Sequence, residues 1–190
     1  ENGKLVGVVT DRDLKRASAS SAHPLETYEL AYLITKMNVG QVMTKGPITV
    51  AHDSTLEEAA WVLMTNDISG APVRDDQEQI VGTISRREIF MALISLTGLA
   101  NRGIQVAVRV EDRPGSIKEI TDVVRAFGGR LVSLLTSYER APAGFRHVYL
   151  RICNIDRSIV ARMLDEMKQK ALLLYMVDHR ENRRMEYAES

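Results

Sequence analysis

Hydrophobic positions along the chain change period several times, and each change marks an element. Residues 5–9 are a short, β-branched run of the kind that forms a buried strand; Thr10, with Asp13 three residues later, predicts a helix start. Residues 17–24 (Ala-Ser-Ala-Ser-Ser-Ala-His-Pro) have the composition of a linker. Residues 25–37 put Leu30, Leu33, Ile34 and Met37 at helical spacing, and Asn38 and Gly40 end that helix. Residues 47–50 predict a strand. Ser54 with Glu57 predicts a capped helix with Leu56, Ala59, Ala60, Leu63 and Met64 on one face. Strands at 71–73 and 80–84 follow, and then Ser85 with Glu88 opens another helix.

Past residues 98–103 the pattern restarts. Ile104, Val106, Val108 and Val110 alternate with Gln105, Ala107, Arg109 and Glu111, as in a half-buried strand. Asp112-Arg113-Pro114-Gly115 is a turn. Ser116 with Glu119 predicts a capping box before the stripe Ile117, Ile120, Val123, Val124 and Phe127, which Gly128-Gly129 stops. Strands at 131–138 and 147–153, a helix capped by Asp156 and a strand at 172–177 complete the order βαββαβ, the ferredoxin-like arrangement. In these strands Val106, Val108, Val148, Leu150 and Ile152 point one way, toward the helices. Ala107, Arg109, His147, Tyr149, Arg151 and Cys153 point the other way, a composition closer to an interface than to a solvated face. Strand 172–177 is apolar on both faces. A homodimer to which this domain contributes is expected.

One block occurs twice at a constant offset of 75 residues. Leu5-Val6-Gly7-Val8-Val9-Thr10-Asp11-Arg12-Asp13-Leu14 returns as Ile80-Val81-Gly82-Thr83-Ile84-Ser85-Arg86-Arg87-Glu88-Ile89. Both end in a hydroxyl, two residues and a carboxylate, which serves as a helix cap whatever else it does. Arg12, Arg86 and Arg87 put positive charge in a first helical turn, against the helix dipole. Solvated surface explains them, and so does a phosphate partner at a helix N-terminus.

Val42-Met43-Thr44, Pro47-Ile48-Thr49-Val50, Ser69-Gly70-Ala71-Pro72-Val73 and residues 81–88 together resemble a whole cystathionine-β-synthase (CBS) motif, and residues 5–14 resemble the end of a preceding one. The resemblance implies a Bateman-type pair that takes an adenosine-containing ligand (AMP, ADP, ATP or a relative) between its two copies. In the family the hydroxyl lies near phosphate and the carboxylate on the ribose diol. That assigns Thr10, Arg12 and Asp13 in one copy and Ser85, Arg87 and Glu88 in the other, with Glu88 in place of the usual Asp. Ile48, Thr49, Ala71 and Pro72 would hold the adenine. A carboxylate accepting from both hydroxyls of a diol is sound chemistry in its own right.

Asp112-Arg113-Pro114-Gly115 and Phe127-Gly128-Gly129-Arg130-Leu131 resemble an ACT domain, a regulatory module that often binds amino acids, with Asp112, Gly115, Ser116 and Ile117 beside the ligand. CBS pair followed by ACT is similar to the acetoin-utilisation regulatory protein family. The fold class that follows is α/β plus α+β: a CBS module and then a ferredoxin-like ACT domain. The domains are 1–17 (end of the first CBS motif), 18–38 (linker and helix), 39–98 (second CBS motif), 103–180 (ACT) and 181–190 (tail). The chain opens on Glu1 in a turn that feeds a strand, so the natural protein is expected to begin earlier.

Charge and composition narrow the classes. Lys+Arg and Asp+Glu both number 25, so no basic excess points to nucleic acid. The single cysteine, Cys153, excludes an internal disulfide and fits a reducing, cytoplasmic setting. The most apolar run, 91–100, is far short of the ~20 residues of a membrane span. His23, His52, His147 and His179 lack metal-ligand spacing, and no nucleophile–base or phosphate-loop motif is present. The expectation is therefore a non-catalytic sensor that requires no cofactor and acts on an unknown target protein. A regulatory piece of a larger enzyme and a ligand-free assembly scaffold both stay open.

Overall fold

The computed structural model describes residues 4–20 and 37–187, and these divide into two compact units, Glu1–Ile89 and Phe90–Ser190. The helix expected over 25–37 lies outside the described residues, apart from Met37, which is not helical.

In the first unit, β1 (Gly7–Val8) pairs antiparallel with β2 (Thr44–Lys45), Gly7 opposite Lys45. This joins the first repeat block to the start of the stretch 39–98. Gly7 is required there: a Cβ would lie 2.5 Å from Met43 Sδ and 2.9 Å from the Thr44 carbonyl oxygen. Its counterpart Gly82 faces open space. Helix α1 (Asp11–Ser20) follows β1, and the short α2 (Val39–Val42) precedes β2.

The other sheet has the order β3 (Val50–Ala51), β4 (Gly70–Arg74), β5 (Ile80–Ser85). Strands β3 and β4 are parallel, so α3 (Leu56–Thr65) must cross over between them. Strands β4 and β5 are antiparallel and need only a turn, and α4 (Arg86–Leu96) leaves the end of β5. A small core gathers Val50, Ala59, Leu63 and Ala71.

Two expectations need correction here. The strand expected at 47–50 starts only at Val50. The cap of α3 is Thr55 with Glu58, not Ser54 with Glu57: the Thr55 N–H donates to Glu58 Oε2 at 2.8 Å and the Glu58 N–H to Thr55 Oγ1 at 3.3 Å. Both pairs satisfy the box spacing. The Ser54 N–H is already committed to the Ala51 carbonyl at 3.1 Å, in the turn that leaves β3. In that frame Met64, expected on the buried stripe, is exposed.

The second unit is a five-stranded antiparallel sheet. Its elements are β6 (Ile104–Glu111), α5 (Ser116–Ala126), β7 (Arg130–Ser137), β8 (Phe145–Cys153), α6 (Val160–Lys168), β9 (Leu172–Asp178) and β10 (Arg183–Glu186). The sheet order is β10-β9-β6-β8-β7. From β6 to β9 the order βαββαβ is the ferredoxin-like arrangement. Central β6 sends Val106 and Val108 to one face, where they meet Val148 and Leu150 of β8, Ile120 and Val124 of α5, and Met163 and Met167 of α6.

Strand β10 falls within the stretch 181–190, which the hydrophobic pattern marks only as a tail. It pairs with β9, Met185 opposite Met176, and Met185 and Tyr187 pack on the core. Arg183-Arg184-Met185-Glu186 holds one apolar residue, too few for periodicity to show.

Candidate functional site

At the start of α1 the Asp13 carboxylate turns back on its cap. Thr10 donates twice to Asp13 Oδ2, from its N–H at 2.9 Å and its hydroxyl at 2.7 Å. The Asp13 N–H donates to Thr10 Oγ1 at 3.3 Å. The Thr10 hydroxyl and amide together hold the Asp13 carboxyl below its ordinary pKa. Asp13 is 8% exposed, with the guanidinium of Arg16 4.0 Å from Oδ1. Arg12 stands exposed.

The second block repeats the device with a longer arm. The Ser85 N–H donates to Glu88 Oε2 at 3.0 Å, the Ser85 hydroxyl donates to the same oxygen, and the Arg87 N–H donates to Ser85 Oγ at 3.2 Å. The Ser85 hydroxyl holds the Glu88 carboxyl low as well. Glu88 and Arg87 are exposed. In both copies the cap engages one carboxylate oxygen, and the second, Oδ1 or Oε1, is the one a diol would meet. Each hydroxyl donates a hydrogen bond to the carboxylate and accepts one from a helix amide. Arg86 has an internal partner, Asp67 Oδ1 at 3.1 Å, so it needs no phosphate to account for it.

The adenine candidates lie on the neighbouring strands. Val50 is opposite Val73 in the parallel pair, with Ile48 and Thr49 just before β3 and Ala71 and Pro72 just before Val73 in β4. Ala71 points into the core with Ala59 and Leu63, so only its backbone can face a ligand. Pro72, one residue on, takes the other face of β4. Ile48 is 40% exposed and Thr49 half-buried. Gly70 is opposite Ser85, and the Arg86 N–H donates to the Ser69 carbonyl at 2.9 Å, tying the second cap to the start of β4.

The loop before α5 is built differently from its expected form. Gly115, at φ +93°, is the N-cap, a conformation that favours glycine, and Ser116 is the first helical residue. The Ser116 hydroxyl donates to the Arg113 carbonyl at 3.0 Å, and Glu119 pairs with the Arg113 guanidinium at 2.8 and 3.0 Å, so the expected Ser116–Glu119 box does not form. Glu119 and Glu111, at 2.9 Å, hold Arg113 firmly charged, its pKa raised. Asp112 accepts from the Tyr138 hydroxyl at 3.3 Å and lies 3.5 Å from Arg146 Nε. Arg146 also donates to Ser116 Oγ at 3.4 Å. Ile117 is half-buried against the core. Tyr138 and Arg146 escape sequence reasoning because only the return of β7 and β8 past the loop brings them there.

Among the described residues no group of three or more His, Cys, Asp or Glu could hold a metal ion, and no helix is long and apolar enough to cross a membrane.

Residues 39–95 match the family description "CBS domain". A CBS domain-containing protein of Dictyostelium discoideum is 28% identical over 95 residues, covering 50% of this chain and 66% of that protein. The L-aspartate semialdehyde sulfurtransferase of Methanocaldococcus jannaschii is 30% identical over 89 residues, 47% of this chain but only 15% of the enzyme. A crystal structure of CBSX2 in complex with AMP is 33% identical, with a TM-score of 0.38, covering 50% of this chain and 66% of the other. The chain thus spans less than two thirds of these relatives' own lengths. The CBS relatives account for about half of it.

Proposed function

We propose that this chain is a non-catalytic regulatory protein whose CBS portion binds an adenosine-containing nucleotide, AMP, ADP or ATP. The observation that carries this is the duplicated cap. Thr10/Asp13 and Ser85/Glu88 each present a helix N-terminus for phosphate and a carboxylate whose second oxygen the cap leaves open to the ribose diol, at Asp13 beside the exposed Arg16. Arg12 and Arg87 stand exposed in the same first turns, and residues 48–49 with 71–72 offer backbone and apolar surface to the base. The second unit is proposed as an ACT domain that senses a small ligand such as an amino acid at Asp112, Gly115, Ser116 and Ile117, or that serves assembly. The protein is proposed to act as a cytoplasmic homodimer on a separate target protein, in the manner of the acetoin-utilisation regulators.

Calorimetric titration with AMP, ADP and ATP tests the nucleotide reading. A hydrogen bond to a charged group is worth enough that Asp13→Ala should weaken binding about tenfold or more. Equal affinity in a variant whose circular dichroism is unchanged removes Asp13 from the site. A second reading, a regulatory segment of a larger enzyme, draws on the sulfurtransferase, of which the matched stretch is 15%. The mass of the natural gene product separates the two.

A further inference from the structure

One face of the second unit's sheet packs on α5 and α6. The other carries a polar network whose donors outnumber its acceptors. Strand register puts Gln105 beside Arg151, Ala107 beside Tyr149 and Tyr175, and Arg109 beside His147. Arg151 is 4% exposed. Its Nε donates to the Thr97 carbonyl at 2.7 Å and its Nη2 to Gln105 Oε1 at 3.1 Å. Both partners are neutral, and buried Nη1 has no hydrogen-bond partner among the described residues. Buried charges are ordinarily paired, so an uncompensated guanidinium leaves positive potential on this face.

Arg151 also fixes the polarity of its neighbours. Because Gln105 Oε1 accepts from Arg151, the Gln105 amide must present its NH2 to Tyr175, donating to the phenol oxygen at 3.3 Å. The Tyr175 hydroxyl accepts there and keeps its own proton to give. Arg109 Nε donates to His147 Nε2 at 3.5 Å. Tyr175 and His147 line a cavity of about 380 Å³ with Ser137, Tyr149, Leu174, Arg140 and Glu139. That volume suits one small organic molecule. The rings of Tyr149 and Tyr175, 6.5 Å apart and inclined by 39°, give it aromatic walls. Glu139 is the one acid of the seven; its Oε1 lies 4.0 Å from Arg140 Nε, but both side chains are exposed, at 82% and 90%, so water screens the pair and an incoming oxyanion can take its place.

We propose that this cavity binds a small organic oxyanion, a carboxylate or phosphate ester on an apolar stem. The acid group meets the Tyr175 hydroxyl and Arg140 in the field of Arg151, and the stem lies against the two tyrosine rings. A second copy related by a two-fold axis is the competing occupant that the strand pattern suggests. It would oppose these cations with their own images, and the face instead calls for negative charge.

Benzoate and phenyl phosphate are the probes, benzyl alcohol is the uncharged control, and the readout is the tyrosine ring resonances of the full chain. Saturable shifts with benzoate or phenyl phosphate and none with benzyl alcohol support the site. The acid that binds more tightly names the ligand class. Tyr175→Phe, which removes only the hydroxyl, is expected to weaken binding about tenfold or more. Arg140→Ala, at a side chain that is 90% exposed, is expected to weaken it several-fold. Asp13→Ala should bind benzoate normally, which separates this site from the nucleotide reading. No saturable shift with either acid, equal binding of benzyl alcohol, unchanged affinity in both Tyr175→Phe and Arg140→Ala, or tyrosines shielded by a second copy would each overturn the proposal.

Discussion

The two units bury their apolar residues to different depths. The second unit sinks its apolar residues into one cluster: Ile104, Val106, Val108, Val148, Leu150, Ile152, Met163 and Met167 are fully buried. The first unit buries Val50, Ala59, Leu63 and Ala71 and leaves Trp61, Met64 and Val81 on its surface, Trp61 at 63% exposure. The difference is one of architecture. A five-stranded sheet with two helices on one face closes a core by itself. The three short strands β3–β5, two of them parallel and joined by one crossover helix, enclose only a small core among the described residues. Exposed apolar side chains on this scale mark surfaces that meet something else.

The comparison has its sharpest test in the cores. Leu150→Ala is expected to cost about 2–5 kcal/mol, because a residue closed in by strands and helices leaves a cavity that cannot collapse. Leu63→Ala should sit at the bottom of that range, since half-buried Val62 and Ile68 can move into the gap. Urea denaturation of both variants, with amide exchange on β6 and β4 as local probes, decides. Equal losses would erase the distinction.

A smaller effect separates the ion pairs. Burial pushes the Asp178 carboxyl up, but the Arg157 guanidinium at 3.0 Å and the amides of Arg180 and Glu181 outweigh it, so its pKa is lowered. A carboxylate with a depressed folded-state pKa stabilises the fold above its unfolded value. That stability is lost as the pH falls through the acid range below about 4. Asp178→Asn should cost roughly 1.5–3 kcal/mol at neutral pH and flatten the acid limb of the stability profile. The first unit's Arg86–Asp67 pair is exposed on both sides, and Asp67→Asn should change stability by less than about 1 kcal/mol at any pH. An acid limb that survives in Asp178→Asn would assign it elsewhere.

The smallest effect settles a helix frame. Thr55→Ala should cost about 1 kcal/mol, as loss of an N-cap does, while Ser54→Ala should stay within about 0.5 kcal/mol. Thermal melts of the two variants measure this, and the reverse order would restore the Ser54 frame.

How much the sequence disclosed follows from how local each signal was. The alternation of β6 and β8 and the stripes of α5 and α6 are periodicities of one element, so the βαββαβ order was legible. So was the hydroxyl-x-x-carboxylate device, whose partners lie three residues apart. Where two locally valid solutions overlapped, as with Ser54/Glu57 and Thr55/Glu58, only the turn leaving β3 could choose. Ser116 met the same difficulty: Arg113 captured Glu119, and Gly115 took the cap through its backbone. What stayed hidden was assembled across strands. Arg146 reaches Asp112 and Ser116, and Gln105 stands between Arg151 and Tyr175, through register that no window of sequence contains. Strand β10, with one apolar side chain, had no period to show.

The glycines of the repeated block carry a consequence for how its two copies can age. Gly7 is walled in by Met43 and the Thr44 carbonyl, and Gly82 looks onto open space. The letters are the same, but only the first is pinned by a neighbour. In a saturation library position 7 should accept almost nothing, while position 82 should admit small residues freely. Over long descent the two halves of the duplication would lose their likeness first in the strand of the second copy, where nothing stands in the way.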